Sequence, residues 1–206
     1  MGRPRRRLYT AAMHQDSLFA APAASSDIHR LFFALLPDAA TQARMAAAAA
    51  NLHREHDAGG RLIGAHRYHL TLQFLGDASE FQSERAARAQ AAAASLILPA
   101  FDLRLDRAGS FRNKSVPWWL GCERTPEGLD SLFQRLGVAL AKEGVRVESG
   151  RALVPHVTIV RDAAGHLHPP IAIDPIDWRV DAFVLIHSQL GSRNAYDVLG
   201  QWPLAA

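Results

Sequence analysis

His69-Leu70-Thr71-Leu72 and His156-Val157-Thr158-Ile159 repeat one pattern, His-apolar-Thr-apolar, at two distant places in a chain of 206 residues. In an extended strand successive side chains alternate faces. Each pattern therefore puts its His and Thr on one face and its two apolar residues on the other. Any fold of this chain must supply two half-buried strands for them. Side by side, those strands would gather two imidazoles and two hydroxyls in front of a wall of Leu70, Leu72, Val157 and Ile159. A structural histidine beside a threonine explains one such strand as readily as a site does. With ten histidines in the chain, two apolar-flanked copies arise by chance on the order of a few times in a thousand, which favours a site.

The rest of the chain alternates strand-like and helix-like stretches. Arg30 to Leu36 suits a buried strand, and Pro37-Asp38 opens an Ala-rich helix to about His56, broken by Gly59-Gly60. Arg61 to Ala65 suits a short strand leading into the first pattern, Tyr68 to Leu75. A second helix is expected from Ser79 to about Ser95. Phe101 to Ala108 follows as a half-exposed strand, Gly109 to Pro117 as a loop, and Trp118 to Cys122 as a strand. Pro126 to Gly144 has helical periodicity. Beyond the second pattern, Asp177 to Ser188 reads as one strand, Gly191 to Asn194 as a hairpin turn and Ala195 to Trp202 as a last strand. The fold class expected is α+β, with two pseudo-symmetric lobes of antiparallel sheet facing across a central cleft, helices outside, and one pattern in each half. Residues 1–26 read as a disordered basic extension and 27–206 as a single bilobal domain.

Charge narrows the partners. The formal net charge is +3, and Arg3, Arg5, Arg6 and Arg7 against Asp16 account for all of it. The remainder is neutral, so an anion would be held by a few placed groups in a small phosphate site, not along a basic groove. No apolar run is long enough for a membrane span. The single cysteine, Cys122, excludes an internal disulfide framework and favours a reducing, cytoplasmic setting; its apolar surroundings read as a buried structural thiol.

Two imidazoles can act together as general base and general acid near neutrality. Cleavage of a phosphodiester without a metal needs that division of labour, and Thr hydroxyls on the same face can donate to non-bridging phosphate oxygens. At this point the residues resemble a known family. Arg30-Leu31-Phe32-Phe33-Ala34, the first tetrad with Phe74-Leu75-Gly76, Trp119-Leu120-Gly121, and Pro155 with the second tetrad and Arg161 are similar to the two-histidine (2H) phosphoesterases. Within them the match is to the RNA 2′,3′-cyclic phosphodiesterases, also known as 2′-5′ RNA ligases. The resemblance implies hydrolysis of RNA 2′,3′-cyclic phosphate ends to 2′-phosphates without metal or other cofactor. It also implies that His69 is the proton donor and His156 the acceptor, with 2′-5′ joining as a reverse side activity. Other cyclic or 2′-5′-linked nucleotides are alternative substrates. A non-catalytic RNA-end-binding module is the alternative from another class, disfavoured because binding alone does not require both imidazoles. A monomer is expected.

Thr71 and Thr158 are thus candidate phosphate donors. Arg161 is a further candidate, but five residues from His156 it faces away from the site on a regular strand. Only a strand end or a bulge near Val160 would turn it inward; otherwise it pairs with Asp162 at the surface. Phe111, in the loop Phe111-Arg112-Asn113-Lys114, offers a stacking face for a base or else anchors its loop. Trp118 and Trp119 point to opposite faces, one to the core. His66 sits near the first tetrad but reads as a loop residue. Ser188 and Tyr196 are within reach of the cleft, with bonding inside the sheet as the default. His166-Leu167-His168 resembles a metal pair without an acidic or cysteine partner.

Overall fold

The computed structural model describes residues 27–112, 115–147, 153–191 and 195–205. The basic extension over residues 1–26, Asn113 and Lys114 of the Phe111 loop, and the turn residues Ser192 to Asn194 lie outside them. The described elements run β1 (Ile28–Leu35), α1 (Ala39–Glu55), β2 (Arg61–Leu62), β3 (Leu70–Ala78), α2 (Ser83–Ala94), β4 (Phe101–Ser110) and β5 (Val116–Gly121). They continue with α3 (Glu127–Lys142), β6 (His156–Ala163), β7 (Ile171–Val180), β8 (Ala182–Leu190) and β9 (Ala195–Pro203).

The strands form two antiparallel four-stranded sheets, β9-β8-β1-β3 and β7-β4-β5-β6, which join edge to edge at β3 and β6 into one nine-stranded sheet, with β2 pairing β6 beyond that junction. Each sheet ends on one His-x-Thr strand, and the two meet in a single pairing, Leu70 with Val157. This is the expected bilobal α+β arrangement. The lobes are not the two halves of the chain, however. The β8–β9 hairpin returns to lie beside β1, and α1 leaves the first lobe to pack under β6 and β7 of the second. Helix α3 packs against both β3 and β4 and so lies under the seam, with α2 alongside it.

Local chemistry sets these boundaries. Asp38 caps α1 by accepting the Thr41 backbone N–H at 2.8 Å, which satisfies one of the helix's unpaired donors. Helix α2 starts at Ser83, not at Ser79, because Phe81 is drawn onto His187, their ring centres 4.7 Å apart. The stretch Asp177 to Ser188 is two strands: the chain turns at Asp181 to pass from one sheet to the other, and the Asp181 carbonyl accepts the Leu204 N–H. The expected loop over Gly109 to Pro117 is shorter, because β4 continues to Ser110, where it pairs with Trp118. Trp118 is the buried member of the tryptophan pair, its indole N–H donating to the Gly165 carbonyl at 2.8 Å.

Both His-x-Thr strands bulge at the same place. In β3, Ala34 opposes Thr71 while Phe33 opposes Gln73, so Leu72 is the extra residue. In β6, Trp119 opposes Thr158 while Trp118 opposes Val160, so Ile159 is the extra residue. A bulge leaves two consecutive residues on the buried side and returns the next one to the front. Leu72 with Gln73, and Ile159 with Val160, are accordingly buried, and Phe74 and Arg161 come to the front.

The approach of β2 to β6 depends on Gly60, which has φ +65° and where a Cβ would lie 2.4 Å from the Arg161 carbonyl oxygen. Gly165 has open space around it. Gly60→Ala is therefore expected to cost at least about 1–2 kcal/mol, a fall in Tm of roughly 2–8 °C for a chain of this size. Gly165→Ala should leave Tm within about 1 °C. Paired thermal melts read both.

Candidate active site

Across the seam, the antiparallel pairing of Leu70 with Val157 brings the flanking His69 and Thr71 beside Thr158 and His156. All four line a cleft of about 460 Å³ together with Arg30, Phe32, Ile63, Arg67, Phe74, Arg161, Ser188, Leu190 and Tyr196. The apolar partners Leu70, Val157 and Ile159 are fully buried behind them, and Leu72 nearly so.

Both imidazoles are held in the same way. The Nδ1–H of His69 donates to the Arg67 carbonyl at 2.8 Å, and that of His156 donates to the Val154 carbonyl at 2.7 Å. A carbonyl only accepts, so Nδ1 carries the hydrogen in each ring and Nε2 is left as the proton-exchanging atom. Aromatic walls fix the ring planes. His69 lies against Phe32 (centres 5.1 Å apart) and edge-on to Tyr196 (5.5 Å), and Tyr196 is capped by the Arg67 guanidinium 4.5 Å from its centre. His156 stands edge-on to Phe111 at 4.8 Å.

Burial is the main cause that lowers the pKa of His69 below the ordinary imidazole value. Its carbonyl bond opposes the shift, and the charges of His156, Arg161 and Arg67 push it further down. Burial likewise lowers His156, again against its carbonyl bond. Both rings are therefore neutral in the unliganded cleft at neutral pH, and each can take a proton from a substrate or water or receive one with an anion.

The structure gathers five of the six candidate residues directly. His69, His156, Thr71 and Thr158 face the cleft as alternation requires, and Arg161 joins them through the Ile159 bulge. Asp162, its alternative partner, instead accepts the Ser115 hydroxyl. Phe111 does not line the cleft; it supports His156 from the side and lies 5.7 Å from Trp119. Ser188 and Tyr196 line the cleft rather than serving only the sheet. Arg30, Phe32, Ile63, Arg67, Phe74 and Leu190 line it too; Arg30, Phe32 and Phe74 stand in stretches that carry the family resemblance, whereas Ile63, Arg67 and Leu190 have no sequence signal. His66 is an exposed residue outside the cleft lining. Among the described residues no group of three His, Cys, Asp or Glu side chains is placed to hold a metal, His166 and His168 included. Cys122 packs half-buried against the core, and burial pushes its thiol up.

The cleft can be compared with known proteins. The family described as the 2′-5′ RNA ligase superfamily matches residues 36–191. The RNA 2′,3′-cyclic phosphodiesterase of Escherichia coli is 34% identical over 146 residues, 70% of this chain and 80% of the relative. The protein of that name from Thermus thermophilus is 30% identical over 185 residues, 85% of this chain and 90% of the relative. The crystal structure of E. coli LigT in apo form superposes with a TM-score of 0.71 at 31% identity, covering 88% of this chain and all of that one. LigT has also been crystallised with 3′-AMP, and that structure superposes with a TM-score of 0.67.

The imidazole arrangement predicts a titration. An ordinary exposed imidazole is half-protonated near pH ~6.5. In NMR spectra of the free protein the His69 and His156 ring signals should titrate below that value, as Nδ1–H tautomers. Added inorganic phosphate should raise at least one of them, because an anion favours the protonated ring. A phosphate-independent midpoint at or above the ordinary value for both would contradict the assigned geometry.

Proposed function

The chain belongs to the 2′-5′ RNA ligase superfamily, and on that premise we propose that its cleft hydrolyses RNA 2′,3′-cyclic phosphate ends to 2′-phosphates. The observation that carries this is the pair of Nε2 atoms left free in one cleft, each by an Nδ1 bond to a carbonyl two residues earlier. The relatives named RNA 2′,3′-cyclic phosphodiesterase and the 3′-AMP complex of LigT support an RNA end or nucleotide as the ligand.

The cyclic phosphate sits between the two rings. Thr71 and Thr158 donate their hydroxyl hydrogens to its non-bridging oxygens, and Arg161 balances the charge that grows on them. His156 Nε2 takes a proton from the attacking water as its oxygen bonds to phosphorus. The bond from phosphorus to O3′ breaks, and His69 Nε2–H protonates that oxygen, leaving a 2′-phosphate. The order of the two roles follows the family resemblance. Phe111 acts in this scheme as a prop for His156, and base stacking remains a second use of its ring. Both imidazoles come from one chain, which fits a monomer, and the proposed setting is the cytoplasm. No described helix is long and apolar enough to cross a membrane.

Removal of either general acid–base group should cost about 10²–10⁴-fold in kcat. His69→Ala and His156→Ala are expected to lose that much on a 2′,3′-cyclic-phosphate oligonucleotide, and the double variant little more than either alone. Wild-type turnover should persist in excess EDTA, with the product identified as a 2′-phosphate by phosphorus NMR. Undiminished turnover in the double variant, or loss of wild-type activity on chelation, would overturn the mechanism.

A further inference from the structure

Arg61 lies directly opposite Arg161 in the β2–β6 pairing. Directly opposed residues of an antiparallel pair share a face, with Cβ atoms about 4.5–5.5 Å apart, and like charges so placed repel. The rest of the sheet treats its arginines in the opposite way. Arg30 opposes Asp77, Arg104 opposes Asp177 and Arg179 opposes Asp102, and each of these pairs closes an ion pair. Among the described residues neither Arg61 nor Arg161 has a carboxylate partner, and the neighbouring Asp162 is engaged by Ser115.

The face they share is the cleft face. Arg161 lines the cleft, and so does Ile63, two residues from Arg61 on the same extended segment, whose N–H is held by the Ile159 carbonyl at 2.8 Å. Arg61 therefore stands one step outward from the cleft wall, exposed at its lip. Gly60 makes the juxtaposition possible, since any side chain there would collide with the Arg161 and Asp162 carbonyls. An uncompensated pair of cations held together by a glycine-dependent strand contact is a destabilising feature that an anion would relieve.

We propose that Arg61 is a second phosphate subsite, which binds the internucleotide phosphate next to the cyclic end while Arg161 attends the cyclic phosphate itself. The inference rests on the cyclic phosphodiesterase reading and deepens it, because a site of this kind selects oligonucleotide ends over free cyclic mononucleotides. Two phosphates held by two placed arginines also suit a folded body whose formal charge is neutral.

The test compares kcat/KM for a diribonucleotide ending in a 2′,3′-cyclic phosphate with that for the corresponding nucleoside 2′,3′-cyclic phosphate. Wild type should prefer the dinucleotide by about tenfold, expressed in KM, the scale of one charge-assisted contact. A dinucleotide whose internucleotide phosphate is replaced by a neutral methylphosphonate should lose that preference on the wild-type enzyme, a result that does not depend on any variant folding. In Arg61→Gln the ratio between dinucleotide and mononucleotide should fall to about one, and the methylphosphonate should no longer matter. Arg61→Lys should restore part of the ratio. The proposal is overturned if the methylphosphonate is processed as well as the natural dinucleotide, or if Arg61→Gln slows both substrates by one factor, which would place Arg61 on the cyclic phosphate or in the fold alone. Wild-type turnover of neither substrate would instead sink the underlying phosphodiesterase reading.

Discussion

Two four-stranded sheets are joined in this molecule into one by a single residue pairing, Leu70 with Val157. Everything at the cleft follows from it. Both residues are fully buried, so their faces are committed to the core, and the histidine and threonine on either side of each must point the other way. A slip of one residue in either strand would turn that strand's His and Thr inward and its two apolar partners outward. The buried apolar wall therefore fixes the register of the site. Helix α3, packed under both β3 and β4, supports the seam from behind.

The bulges add what plain alternation cannot. By absorbing one extra residue after each Thr, β3 and β6 return the third residue beyond it to the cleft face. The backbone does the same thing twice, but the side chains delivered are different. The second lobe supplies Arg161, the cation that the proposed mechanism sets against the phosphate. The first supplies Phe74, an apolar wall over which the Arg30 guanidinium lies at 5.4 Å while bound to Asp77 in two hydrogen bonds. A symmetric frame thus carries an asymmetric site, as the proposed recognition of a phosphate beside the rest of a nucleotide requires.

How much of this can be read from the residues differs by kind of signal. The His-x-Thr faces, the three helices and most strands are legible because period and punctuation are local. Arg161 is legible only as a conditional: the adjacent apolar pair Ile159-Val160 breaks alternation and hints at a bulge, whereas in β3 the polar Gln73 masks the same device, because its side chain is buried by donating to the Phe133 carbonyl of α3. The division of the lobes is hidden because the β8–β9 hairpin reaches the first lobe through a turn at Asp181 with no Gly or Pro to mark it. Arg67, Tyr196 and Phe32 join the site through contacts between elements far apart in sequence. Neither Nδ1 bond has a sequence signature, since each acceptor is a backbone carbonyl.

Charge placement links the fold to the proposed chemistry. Elsewhere in the sheet Arg30, Arg104 and Arg179 are neutralised by aspartates directly across the ladder, while burial first, and then the charges of His156, Arg161 and Arg67, hold His69 below its ordinary pKa. An empty cleft therefore keeps His69 deprotonated, although the proposed mechanism needs it as an acid. A bound phosphate anion resolves the conflict. It cancels the field of the two arginines where that field acts on the ring, and it offers the protonated Nε2 an acceptor. On this electrostatic logic the acid is loaded with its proton by the arrival of the substrate, because burial and the neighbouring charges otherwise favour the neutral ring.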